Sequence, residues 1–361
     1  MRTIADVHRI AVLRANALGD YIVALPALEA LRAAYPDAEI VLLGAPWHVQ
    51  ALAGRPGPVD RLVIAPACPG IREPVPDDPV PAEQLPQFLE LARGEQFDVA
   101  LQMHGGGRHS NPLVSQLGAR VTAGLRAPDA PPLDRNLPYH FYQPEVFRYL
   151  EVAELVGAPP VTYRPQFVVR DDDVREAQRV APSSGERQRV VLHPGANDLR
   201  RRWPAANFGA LAKALARQGL DVVVTGTAGE RDLVAEVCEQ AGPDVRSLAG
   251  ELTIGGFAAV LADAAAVVSN DTGALHLAAA VGTPAVGLFW VGNVISFARP
   301  DRSAYRPIIS WRIHCPRCGV DCTTDLYPER AGEGCEHQDS FLVDIPVAEV
   351  EAETRQLLRE V

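Results

Sequence analysis

AAAVVSNDTGALHLAAA, residues 264–280, decides how the rest of this sequence is read. The apolar run Ala264–Val268 predicts a buried strand, and Ala274–Val281 predicts a helix. Asn270, Asp271, Thr272 and Gly273 form a short polar turn between them. Such a turn gathers backbone N–H groups and the positive end of the helix at one point, which suits a phosphate. His276 follows one helical turn later, on a face that can look back at that point. Asp271 cannot itself attract an anion, so its carboxylate either orders the turn or meets sugar hydroxyls, while Thr272 and Gly273 offer N–H groups. A bare capping role for Asp271 or Thr272 is the alternative.

Two further stretches repeat the design. Arg9–Arg14 predicts a strand, Leu18-Gly19-Asp20 a turn, and Tyr21–Tyr35 a helix. Val190–Leu192 leads into His193-Pro-Gly-Ala-Asn197, and Arg200-Arg-Arg-Trp-Pro204 opens the next helix, where proline costs nothing. Each turn follows a strand, and open α/β sheets bind ligands at the carboxyl ends of their strands. Further strands are predicted at 38–43, 61–64, 97–101 and 120–124, then at 221–225, 245–248, 265–268 and 285–289, with helices between most of them. This alternation predicts an α/β chain with two Rossmann-like parallel sheets. The expected domains are residues 1–175 and 186–345, joined by a polar linker around 171–189, with a closing helix in 346–361. Pro66–Pro86 carries seven prolines and is expected to be a loop, as is Ala127–Pro138.

The 361 residues suffice for two cores, and the net charge of −11 without a long basic run argues against a nucleic-acid partner. No apolar stretch is long enough to span a bilayer, and the N-terminus shows no signal peptide. The expected location is cytoplasmic, with peripheral contact at the inner face of the cell membrane left open. His104-Gly-Gly-Gly-Arg108 is reminiscent of an esterase oxyanion loop, but Gly-x-Ser-x-Gly is missing. The nicotinamide fingerprint Gly-x-Gly-x-x-Gly is missing as well.

Three ordered motifs, Leu18-Gly-Asp20 with Leu25-Pro-Ala-Leu28, His193-Pro-Gly195 with Arg202-Trp-Pro204, and Ser269–His276, resemble glycosyltransferase family 9, the heptosyltransferase family. The resemblance implies two Rossmann-like domains facing a cleft, the architecture called GT-B, with the final helix crossing back to the first domain. It also implies inverting transfer of a heptose or related sugar from an ADP-linked donor to a hydroxyl of a glycolipid or polysaccharide. Asp20 then matches the proposed base, with Gly19, His104 and Arg108 on the acceptor side. The donor falls to His193, Gly195, Asn197, Arg201 or Arg202, Glu230, Asp271, Thr272, Gly273 and His276. Arg201 or Arg202 would neutralise the leaving group, and Glu230 would bond ribose hydroxyls. No cofactor is required, because arginine and helix ends supply the positive charge. A nucleotide-sugar 2-epimerase on the same fold and a non-catalytic nucleotide-sugar-binding or assembly module are the alternatives.

Cys315, Cys318, Cys322 and Cys335 stand at Cys-x₂-Cys-x₃-Cys-x₁₂-Cys. Four thiols so closely spaced suggest either a structural metal or reduced, packed side chains, rather than disulfides.

Overall fold

Ile10–Leu13 are apolar on both faces of their strand and fully buried. A strand covered on both sides belongs inside a parallel sheet flanked by helices. The computed structural model describes residues 2–72, 84–183, 185–299, 304–323 and 336–360, and divides into two units, Met1–Val168 and Val169–Val361.

The first unit runs β1 (Arg9–Leu13), α1 (Leu18–Ala34), β2 (Glu39–Gly44), α2 (His48–Leu52), β3 (Arg61–Ile64) and α3 (Gln84–Gly94). It continues with β4 (Val99–Gln102), α4 (Ser110–Ser115), β5 (Val121–Arg126), β6 (Arg135–Pro138) and α5 (Glu145–Glu154). Its parallel sheet has the order β3-β2-β1-β4-β5-β6. The strand order reverses between β1 and β4, so the turns after these two strands flank the crevice where such sheets bind ligands.

The second unit begins with α6 (Asp171–Val180), β7 (Arg189–His193), α7 (Ala205–Ala216), β8 (Asp221–Val224), α8 (Arg231–Ala241) and β9 (Arg246–Ser247). Then come α9 (Ile254–Ala262), β10 (Ala266–Asn270), α10 (Gly273–Ala280), β11 (Ala285–Trp290), α11 (Val291–Phe297), β12 (Tyr305–Ser310) and α12 (Val347–Glu360). Its sheet order, β12-β11-β10-β7-β8-β9, places the switch between β10 and β7. Both expected parallel sheets are present, six strands each.

Four differences from the sequence expectations have physical reasons. The region read as a linker holds α6, which belongs to the second unit and packs on α9. Only Asp173 and Ala177 of α6 are buried, so no apolar stripe announced it. Arg135–Pro138, expected in a loop, is edge strand β6, and Tyr305–Ser310 is edge strand β12. Each strand contains a proline, which a sheet edge tolerates. The closing helix α12, expected to return to the first domain, packs within the second unit on α7, β10 and β11. Its Val350, Thr354 and Leu357 repeat at helical spacing, and the two apolar ones join the second unit's core. Finally, α1 begins at Leu18 rather than Tyr21, which places Asp20 inside the first helical turn.

Among the described residues, no helix is long and apolar enough to cross a membrane.

Candidate functional site

The first unit presents its candidate groups at the ends of β1 and β4. Asp20 accepts a hydrogen bond from the Ala17 N–H through Oδ2 at 3.0 Å, closing the start of α1. Its Oδ1 accepts from Arg14 Nη2 at 2.9 Å. With 27% of its side chain exposed, Asp20 remains open to solvent, whereas Arg14 has only 2%. The Asp20 carboxylate is therefore fixed from below and accessible from above.

Sequence reasoning missed what holds Arg14. Its Nε donates to the Asp20 carbonyl at 2.9 Å, its Nη1 to the Met103 carbonyl at 2.8 Å, and its Nη2 also to Glu145 Oε2 at 3.1 Å. The guanidinium lies 4.5 Å from the centre of the Tyr149 ring. Burial opposes its charge, yet Tyr149, Asp20 and Glu145 raise the guanidinium's pKa above the ordinary value. Glu145 in turn accepts from Arg148 and from the Tyr149 hydroxyl, each at 3.0 Å. Buried ions persist only when paired and hydrogen-bonded, and here every member has several partners. The one sequence signal was an arginine immediately after an apolar strand.

His104 is buried, and its Nδ1 accepts from the Ala15 N–H at 3.2 Å, tying the β4 turn to the β1 turn. Burial first, then the Arg14 charge, push its pKa down to about 3 against a hydrogen bond to the Gly70 backbone. Burial likewise takes His48 down to about 4. Both rings are thus neutral in the folded chain, while the unfolded chain protonates them below about pH 6.5. Stability is expected to fall with pH from there toward about 3–4, by up to about 1.4 kcal/mol per pH unit for each ring. Urea unfolding across that window checks it, and His104→Gln should make the decline shallower. Gly19 is buried in the first turn of α1, and Arg108 is half exposed, 3.6 Å from Asp129.

The second unit places its three candidate turns on the adjacent strands β10, β7 and β8. Asn270, at the end of β10, stitches two of them together. Its Nδ2 donates to the Pro194 carbonyl at 2.8 Å, and its Oδ1 accepts from the Trp203 N–H at 3.0 Å. Beside it, buried Asp271 accepts from Arg201 Nη1 at 3.3 Å and from the Asn293 amide, with His276 Nε2 at 3.4 Å. The carboxylate therefore orders the turn. It gathers an arginine, an imidazole and the N-terminus of α10, where Thr272 Oγ1 accepts from the Ala274 N–H and Gly273 is the first helical residue. Asn293, on α11, was not anticipated.

The neighbouring arginines divide their work. Arg200 turns away to Asp198, at 2.8 Å. Arg201 reaches Asp271, and Arg202 Nε donates to the Ala196 carbonyl at 2.7 Å. Asn197 is exposed at the same turn.

His193 and Glu230 meet across β7 and β8. His193 is buried with Nδ1 3.0 Å from Thr225 Oγ1, and burial lowers its pKa despite the nearby Glu230 charge. Burial pushes the Glu230 carboxyl up, but the Thr227 N–H and hydroxyl, with the Arg202 charge, take it below its usual value. Glu230 Oε2 accepts both Thr227 bonds, at 2.8 and 2.9 Å. Its other oxygen lies over Gly195, where an added Cβ would sit 2.0 Å away. Only glycine admits that approach.

A sequence model of glycosyltransferase family 9 (heptosyltransferase) matches residues 88–310. The chain is 28% identical to lipopolysaccharide heptosyltransferase 2 of Escherichia coli K12 over 199 residues, 54% of this chain and 53% of the relative. It thus spans about half the length of that curated relative. The fold resembles the family 9 glycosyltransferase of Veillonella parvula, with TM-score 0.76, 20% identity and 98% of both chains covered. It also resembles the E. coli ADP-heptose lps heptosyltransferase II, with TM-score 0.71, 21% identity and coverage of 98% and 99%. The family match takes in more than half of the sequence, including the β4, β7, β8 and β10 turns, and the chain belongs to glycosyltransferase family 9, the heptosyltransferases.

Proposed function

We propose that this chain is an inverting glycosyltransferase that moves a heptose from an ADP-linked donor to a hydroxyl of a lipopolysaccharide-type acceptor. The observation that carries the reading is the set of groups converging on Asp271. Arg201, His276 and the positive end of α10 meet at the switch point of the second sheet. Such a cluster suits the developing charge on a leaving nucleoside diphosphate. Glu230, ionised and held over Gly195, is placed to accept hydrogen bonds from ribose hydroxyls. On the first unit, Asp20 has the exposure and the fixed orientation of a base that takes the acceptor proton. The heptose and ADP assignments draw on the similarity to the E. coli ADP-heptose lps heptosyltransferase II. A cytoplasmic location at the inner membrane face is part of the same reading.

Calorimetry with ADP, UDP, GDP, dTDP and ADP-heptose tests it. Selective binding of ADP and ADP-heptose supports the reading, and preference for another nucleotide overturns the donor. Gly195→Ala provides a sharper test of the Glu230 role. The new methyl must displace the carboxylate, so KM for the donor should rise about 10- to 100-fold, the worth of one charge-assisted hydrogen bond. An unchanged KM would remove Glu230 from the donor site.

A further inference from the structure

Cys315-Pro-Arg-Cys-Gly319 turns back on itself as a tight hairpin. The Gly319 N–H donates to the Cys315 carbonyl at 2.9 Å, the Cys315 N–H to the Val320 carbonyl at 2.8 Å, and the Cys322 N–H to the Ile313 carbonyl at 2.8 Å. Gly319 takes φ of +74°, which closes the turn without strain. The hairpin presents the Cys315 and Cys318 thiols on one side. Against them lies His337, from beyond the segment 324–335, with Nδ1 3.6 Å from Cys315 Sγ. The three ligand atoms lie within 4.8 Å of one another.

We propose that Cys315, Cys318 and His337 bind one zinc ion. Zn–S bonds of about 2.3 Å and Zn–N bonds of about 2.0–2.1 Å in a tetrahedron set S···N at about 3.6 Å and S···S at about 3.8 Å. The Cys315–His337 separation has that value, and a small movement of the exposed Cys318 side chain completes the triangle. Two thiolates and an imidazole form a donor set that suits zinc, with the fourth position left to water or a further donor. On binding, each thiol gives its proton to solvent as its Zn–S bond forms, and the imidazole binds neutral. This ligand set differs from the four-cysteine pattern of the sequence. Cys322 directs its Sγ to the Val320 carbonyl at 3.5 Å, and Cys335 lies outside the described residues.

The ion would clip the hairpin to the segment 336–345, alongside the Arg317–Asp339 pair at 2.6 Å. That segment grips the arginine turn. Phe341 N–H donates to the Arg200 carbonyl at 2.8 Å, the Ser340 hydroxyl bonds the Arg202 carbonyl, and Trp203 Nε1 donates to the Ile345 carbonyl at 3.0 Å. Metal at the hairpin therefore steadies the loop that carries Arg201 and Arg202.

The test is elemental analysis of the full-length protein purified without chelator, with thiol titration on the same sample. About one zinc per chain is expected in the wild type and in Cys238→Ser, and loss of most of it in Cys318→Ser and in His337→Ala. After exchange with cobalt, a thiolate-to-cobalt charge-transfer band should appear in the wild type and vanish in Cys318→Ser. Circular dichroism confirms that the variants remain folded. A metal-free wild type that takes up neither ion, a Cys315–Cys318 disulfide found by mass spectrometry, or iron in place of zinc would each overturn the proposal. A rise in donor KM in Cys318→Ser is a separate readout that rests on the transferase reading; metal content does not, so the two can fail independently.

Discussion

Asp20→Asn lowers kcat by about 10²–10⁴-fold, or about 3–5 kcal/mol of barrier, and leaves the dissociation constant for ADP-heptose unchanged. The amide has the shape of the carboxylate and can still accept from the Ala17 N–H or from Arg14, the two groups that now hold Asp20. What it loses is the ability to take a proton from an incoming hydroxyl. The groups proposed to hold the donor, around Asp271 and Glu230, belong to the other unit, so on that reading donor binding is expected to stay unchanged. Turnover with saturating acceptor and calorimetry with ADP-heptose separate the two quantities. An Asp20→Asn variant that keeps wild-type turnover would reduce Asp20 to a helix cap.

The second large effect is on stability. Arg14→Met removes a buried cation whose three nitrogens donate to two carbonyls and two carboxylates. Methionine fills much of the volume but leaves the Asp20 and Met103 carbonyls without that donor and Glu145 with one positive neighbour fewer. Breaking a buried ion pair in this way costs about 3–5 kcal/mol. The urea transition of the first unit should shift down by that amount, and turnover should fall as well because the Asp20 carboxylate loses its anchor. Arg14→Lys should recover part of both, since a single ammonium cannot reach all four acceptors. A double variant with Glu145→Gln tests the pairing. Coupled residues give a smaller combined loss than the sum of the single losses. Simple additivity would mean that Arg14 acts through its other contacts, the two carbonyls and the Asp20 carboxylate.

Much of the fold was legible because a parallel sheet writes itself locally. Buried strands such as Ile10–Leu13 and Val190–Leu192 are short apolar runs, and each is followed by a polar turn and an apolar-faced helix. Where that local writing fades, the reading failed. α6 buries too little to show a stripe, and β6 and β12 are edge strands containing proline. The direction of α12 was expected from a resemblance, whereas Val350 and Leu357 belong to the core of the second unit.

The candidate site divides along the same line. Asp20, Glu230, Asp271 and His276 were visible because each lies in a strand-to-helix turn or in the first turn of the helix that follows, a feature set by a few consecutive residues. Which of the neighbouring arginines meets Asp271 was not visible, since Arg201 and Asp271 are 70 positions apart and meet only because β7 and β10 are adjacent. Arg14 and Glu145 meet across 131 positions for a related reason, and His337 reaches Cys315 across 22. The sequence by itself determined the alternation of elements and the turns that carry chemistry, because burial and turn formation depend on near neighbours. Only the tertiary structure decided which charges pair and which thiols share a ligand cluster. Charge-assisted hydrogen bonds and metal coordination act only at contact distance, and distance in space is set by strand order rather than by separation along the chain.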